Sequence, residues 1–320
     1  KRSSQIKILA IFLLTTFFAG ALIFSTQKIN YELPQELYLG SVEVLKEVRI
    51  KEGSVEQGVL YFENDEDRQF YFSSNQTNIS KFDAQWRLIK SNKPWIEGIT
   101  KPHIGVLAKD HESIWGGVID LDDYPYVSDT RIIKIDPKSL DVLQVVDFSS
   151  ISKYVDAFDV VGNEFWVAYK DFVKVYSLSD NEFKLERSYR VLTGNPQGLR
   201  LTKNHMCVVG ESITMMVRRF KNGIYCYARD DLIEFERSFF ADFVVTIDKV
   251  LASLNYRLNH KLFNVYFSRQ VNNPQKLWSF GFPLDNVDNE GFAFSSAEEG
   301  IIWVSDEIGD TARQLQLNGF

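Results

Sequence analysis

Residues 290–305 read EGFAFSSAEEGIIWVS. A polar residue, Glu290, precedes a small one, Gly291, and then apolar positions that enter a strand. The turn signal Glu299-Gly300 follows, and a second strand-like run centres on Trp303. The same unit recurs back along the chain. It reads Gln57-Gly58-Val59, His103-Ile104-Gly105, Asp156-Ala157-Phe158, Gln197-Gly198-Leu199 and Asp242-Phe243-Val244. Counted to Glu290, the spacings are 46, 53, 41, 45 and 48 residues. The second runs centre on Tyr71, Trp115, Trp166, Cys207, Ala252 and Trp303, separated by turn signals such as Asp136-Pro137 and Gly162-Asn163.

Units of this length, each with room for some four short strands, are the mark of a β-propeller. A blade is a small twisted sheet that cannot bury both faces alone, so the blades pack radially. The pattern therefore predicts an all-β, six-bladed β-propeller. The last unit is short of a strand, and Ser41–Ile50 (SVEVLKEVRI) alternates ahead of the first unit. The expectation is that this N-terminal strand closes the last blade and removes an exposed edge.

Upstream, residues 8–27 carry no charge, and Lys1, Arg2 and Lys7 precede them. Twenty residues at ~1.5 Å each cross a ~30 Å hydrocarbon layer. A cleaved signal peptide, with Ala19-Gly20-Ala21 as its small-residue site, is the rival reading. The expectation is an uncleaved transmembrane anchor whose positive flank keeps the N-terminus in the cytoplasm. The domains expected are a cytoplasmic stub and transmembrane anchor at 1–28, a linker at 29–40, and an extracytoplasmic propeller at 41–320. The location expected is a bacterial inner membrane with the propeller in the periplasm, ahead of a eukaryotic secretory lumen.

The formal net charge of −7 argues against nucleic acid, whose phosphates demand a basic surface. The chain has two cysteines, Cys207 and Cys226. Two free buried thiols are expected, with a cross-strand disulfide as the alternative. Asp120, Asp122, Asp123 and Asp129 lie in an acidic stretch lacking the Gly and distal Glu of a calcium loop, so a solvent loop is expected.

In a propeller the innermost strands surround a channel, so the recurrent polar residues predict a ring at one mouth. Its members are Gln57, His103, Asp156, Gln197, Asp242 and Glu290. Of these, Glu290, Asp242, Asp156 and His103 are candidate ligands for Ca2+, which takes hard oxygen donors. No nucleophile elbow, zinc-protease helix, P-loop or dinucleotide fingerprint occurs. No catalytic residue is assigned.

Residues Asn289–Phe294 with Gly300–Glu307 resemble the "EG-hydrophobic … G-hydrophobic-aromatic-V-S-D-E" unit of the esterase-like phytase and SdiA-regulated propellers. The resemblance rests on Glu290, Asp306 and Glu307 and implies a propeller, with calcium-dependent phosphoesterase or esterase chemistry as an alternative function. The leading expectation is a non-catalytic binding or assembly subunit of a membrane protein complex. Tyr124 and Tyr126, in the aromatic loop Asp123–Tyr126, are the candidate partner-binding residues.

Overall fold

The computed structural model describes residues 36–50, 57–63, 69–74, 77–123, 129–152, 155, 157–169, 172–191, 193–212, 223–232, 234, 276–281, 291–306 and 311–320. They belong to one compact unit, Pro34–Glu236 with Pro274–Phe320; a second unit, Lys1–Leu33 with Arg237–Asn273, lies outside the described residues. The predicted anchor at 8–27 therefore lies outside them too. Among the described residues, no helix is long and apolar enough to cross a membrane.

The chain enters the fold on β1 (Glu36–Arg49). Blade one follows as β2 (Val59–Glu63), β3 (Gln69–Ser74), β4 (Ile79–Asp83) and β5 (Leu88–Asn92). Blade two is β6 (Pro102–Lys109), β7 (Ile114–Asp120), β8 (Thr130–Ile135) and β9 (Val142–Asp147). Blade three is β10 (Phe158–Val161), β11 (Glu164–Tyr169), β12 (Phe172–Ser179) and β13 (Glu182–Arg190). Blade four is β14 (Thr193–Leu201), β15 (His205–Ser212), β16 (Gly223–Ala228) and β17 (Lys276–Gly281). Blade five is β18 (Phe292–Ser296), β19 (Ile301–Asp306) and β20 (Thr311–Asn318), completed by β1. Each blade is an antiparallel meander. A tight turn of the hairpin type joins β12 to β13, where Asp180 and Asn181 both take the left-handed conformation (φ 53° and 63°).

The described propeller has five blades, not the six expected. Its innermost strands contact one another in a closed ring: β2 with β6, β6 with β10, β10 with β14, β14 with β18, and β18 with β2. Gly198 of β14 sits against Phe292 of β18, where an added Cβ would be 3.2 Å from its ring. Blades four and five are thus direct neighbours; the repeat read at Asp242 lies outside the described residues.

The closing strand behaves as its alternation predicted, and does more. Ser41–Arg49 pairs antiparallel with β20, completing blade five. The strand begins at Glu36 rather than Ser41, taking in part of the expected linker. Its first residues, Glu36–Gly40, pair in parallel with β17 of blade four. Gly40 marks the switch between partners, and a Cβ there would run into the Phe280 ring and fall 2.7 Å from Asn318 O.

Second strands carry the aromatic positions that the repeat singled out, and these fill the seams. Between blades five and one, Tyr71, Trp86 and Trp303 cluster, with Tyr71 stacked on Trp86 at 4.4 Å. Burial pushes the Tyr71 hydroxyl up to about 12. Between blades two and three, Trp115 meets Phe165 edge to face at 4.9 Å. The seam of blades three and four is more polar: Trp166 stacks on Tyr189, with the Arg187 and Arg229 guanidinium groups over its ring.

Candidate functional site

The repeat explains its own small residue. At Gly291 a Cβ would lie 2.8 Å from Gln57 O and 3.0 Å from Gly58 Cα, both in blade one. At Gly58 it would lie 3.0 Å from Leu107 N in blade two. Innermost strands converge here, and only a minimal side chain leaves room.

Of the predicted ring, Gln57, His103 and Gln197 are described. Gln57 is buried; its N–H donates to Ser74 O at 3.0 Å, and its carbonyl accepts from Ser305 Oγ at 3.0 Å. Gln197 is half-buried on β14, and His103 is half-buried near the start of β6. Asp156, Asp242 and Glu290 lie outside the described residues, as do Tyr124 and Tyr126. Among the described residues, no group of three or more His, Cys, Asp or Glu is placed to hold a metal ion. The acidic stretch is not a plain solvent loop: Asp120 is buried and accepts from Thr100 N and Lys101 N, while Asp129 grips Arg131.

The channel holds a charged group that the repeat did not predict. Arg200, on β14 next to Leu199, is only 5% exposed. Its Nη1 donates to Leu199 O at 2.7 Å and Phe158 O at 3.2 Å. Its Nη2 donates to Leu107 O at 2.7 Å and Val59 O at 2.9 Å. Those carbonyls belong to the innermost strands of blades one, two, three and four. The Phe292 ring of blade five stands 5.8 Å from the guanidinium carbon. One side chain thus touches all five blades, and its four Nη hydrogens are committed to main chain.

Asp159, 7% exposed on β10, supplies the nearby charge. It accepts from Leu201 N at 2.7 Å and Val160 N at 3.0 Å. Burial pushes its carboxyl above the usual carboxylate range, and the Arg200 cation pulls it back. Lys109, at the end of β6, lies near both. Its ammonium is 5.7 Å from the Tyr61 ring centre and 5.6 Å from that of Phe62. Burial pulls it below the ordinary lysine value, with Asp159 opposing.

Cys207 and Cys226 are joined in a disulfide, not free as expected. They are direct cross-strand partners on β15 and β16, with Cα atoms 4.0 Å apart. That proximity follows from the register, which spacing alone does not reveal.

A second feature lies at the rim of blade two. An open groove of about 800 Å3 is lined by residues 95–97, Asp129, Arg131, Val142–Val145, Asp147 and Ser149. Trp95 stands over it, 79% exposed.

The chain shares its fold with a bacterial cyclase. The crystal structure of Myxococcus xanthus glutaminyl cyclase matches with a TM-score of 0.54 and 7% identity, covering 88% of this chain and 99% of that one. A gluconolactonase from Xanthomonas campestris matches with a TM-score of 0.41 and 10% identity, covering 80% of this chain and 71% of that one. At 7% identity the likeness to the cyclase bears on the propeller fold alone. No family model matches, and no curated protein matches. The resemblance read at residues 289–307 therefore stands at the level of the propeller; Glu290 and Glu307 lie outside the described residues.

Sequence reasoning missed Arg200, Asp159 and Trp95. The first two had a signal: each is the lone charge of its innermost strand, at a position where other blades place Leu60, Ala108 and Ala293.

Proposed function

We propose that this chain is a membrane-anchored, extracytoplasmic propeller that acts as a non-catalytic binding or assembly subunit of a membrane protein complex. The observation that carries the reading is the Arg200 lock. The channel's most buried cation spends its Nη hydrogens on carbonyls of four blades, where it holds the ring together instead of meeting a ligand. The uncharged run at 8–27 supports a single anchor in the inner membrane with its N-terminus inside. The Cys207–Cys226 disulfide suits an oxidising compartment such as the periplasm. A rigid ring with an exposed rim groove offers a surface for partners rather than a reaction chamber.

The test is isolation of the full-length chain from membranes in mild detergent, followed by native mass spectrometry. The expected result is a defined assembly with other membrane chains. A chain that fractionates alone, with no co-purifying subunit, overturns the reading.

A further inference from the structure

We propose that the rim groove at Trp95 docks a cationic segment of a partner protein, an extended stretch whose Arg or Lys side chain lies on the Trp95 ring. The inference rests on the subunit reading above and gives the partner a chemistry.

Trp95 is exposed, yet its loop is pinned. Ile96 and Ile99 are buried, and Ile99 N donates to Ile96 O at 3.1 Å. Arg131 Nη1 donates to Glu97 O at 2.8 Å, while its Nε and Nη2 grip the Asp129 carboxylate at 2.8 and 2.5 Å. The ring is thus held out over the groove by a fixed scaffold. A rigidly displayed aromatic beside exposed Leu143 is the makings of a contact hot spot.

The polar lining decides what fits. Apart from the Trp95 indole N–H, its side-chain donors are engaged: Arg131 through all three nitrogens, Gln144 Nε2 with Asn181 Oδ1 at 2.6 Å, and Ser149 Oγ with Thr130 O at 3.3 Å. Its acceptors are in excess: the carboxylates of Glu97 and Asp147 are exposed, and Asp147 commits Oδ1 to Ser149 N at 2.8 Å while keeping further lone pairs. Three carboxylates, Glu97, Asp129 and Asp147, face one cation, Arg131. An anion needs donors, and a sugar needs donors and acceptors together. A guanidinium or ammonium only donates, and it binds an indole face within ~6 Å of the ring centre. Among the described residues, β9 pairs only with β8, which leaves its outer edge for an extended segment to lie along.

The test uses the full-length protein in mild detergent and an end-blocked peptide of alternating Arg and Leu, with a Glu-for-Arg analogue as control. Trp86, Trp115, Trp166 and Trp303 are buried, so acrylamide quenching of Trp95 is read as the difference from the Trp95→Ala variant. The expected result is saturable protection by the Arg peptide only. The Glu97→Gln/Asp147→Asn double variant should weaken it at least tenfold, with the melting temperature of the Asp147→Asn single variant. No saturation, equal protection by the Glu peptide, or binding unchanged in the double variant overturns the proposal. If the native assembly is isolated but persists intact in Trp95→Ala, the groove proposal falls and the subunit reading stands. If the peptide binds but no assembly is found, the subunit reading falls instead.

Discussion

The guanidinium of Arg200 and the carbonyl of Leu107 meet at 2.7 Å, tying β14 of the fourth blade to β6 of the second across 93 residues of chain. Those two blades share no seam. The contact is possible because both innermost strands face the channel, and Arg is long enough to reach across it. Lock and fold therefore depend on each other: carbonyls of four converging strands and the Phe292 ring of the fifth blade make the cradle, and the guanidinium holds them at one level.

Replacing Arg200 with Ala should cost about 3–5 kcal/mol, the range for removing one partner from a buried charged network. Four carbonyls lose a donor, and Asp159 loses the cation that offsets its burial. Arg200→Lys should recover little, because a single ammonium cannot fork to two pairs of carbonyls. Urea unfolding of the three proteins measures this. A loss under about 1 kcal/mol for Arg200→Ala would remove the lock from the account.

Gly291→Ala should destabilise by about 1–3 kcal/mol, the usual cost of overpacking. Its Cβ would meet main-chain atoms of Gln57, Gly58 and Val59 at 2.8–3.0 Å, and backbone yields poorly. Gly116→Ala is the comparison. There the new methyl would meet only side-chain carbons of Ile104, Ile133 and Ile135 at 3.4–3.6 Å, and the change should be small. Thermal melts of both variants decide whether the small residue of the repeat marks close approach of blades.

Reducing the Cys207–Cys226 bond should lower stability by about 3 kcal/mol, as expected for a closed loop of 15–20 residues. Both residues are fully buried, so a thiol reagent should label neither in the folded protein before reduction. Mass spectrometry of the unreduced, denatured chain checks the bond directly. Two alkylated cysteines without reductant would refute it.

How far the sequence foretold this structure follows from which forces are local. The polar-small-apolar unit was legible because Gly58, Gly198 and Gly291 answer a repeated steric demand. The closing strand was legible because Ser41–Ile50 alternates and the last unit lacked a strand. The blade count was not. It depends on which innermost strands touch, and the spacing read at Asp242 looks like any other until Gly198 is seen against Phe292. The lone charge of Arg200 could be seen in β14, but its role could not: its partners are main-chain carbonyls, which leave no trace in residue identity. Cys207 and Cys226 looked like isolated thiols because register, not spacing, brings them opposite one another.

Acid should weaken the fold through its turn aspartates. Hydrogen bonds from Ser139 N and Lys138 N hold the Asp136 carboxyl below its ordinary value, and the Ser149 N–H does the same for Asp147. Burial alone would raise Asp110, but the Trp115 indole and the N–H groups of Glu112 and Ser113 together outweigh it. A carboxyl with a depressed folded pKa contributes stability that is complete above its unfolded value, near 3.8, and lost as pH falls through the folded value. Asp159 works the other way, because its raised folded pKa favours the protonated form as pH falls toward 3.8. With several depressed carboxyls against one raised, the melting temperature should hold down to about pH 5 and then decline below about pH 4. Asp136→Asn keeps an oxygen acceptor for the turn but removes the titration, so its decline should be shallower than that of the parent. Melting curves from pH 7 to pH 2.5 on both proteins make the comparison, and parallel slopes would show that Asp136 contributes nothing to the acid limb.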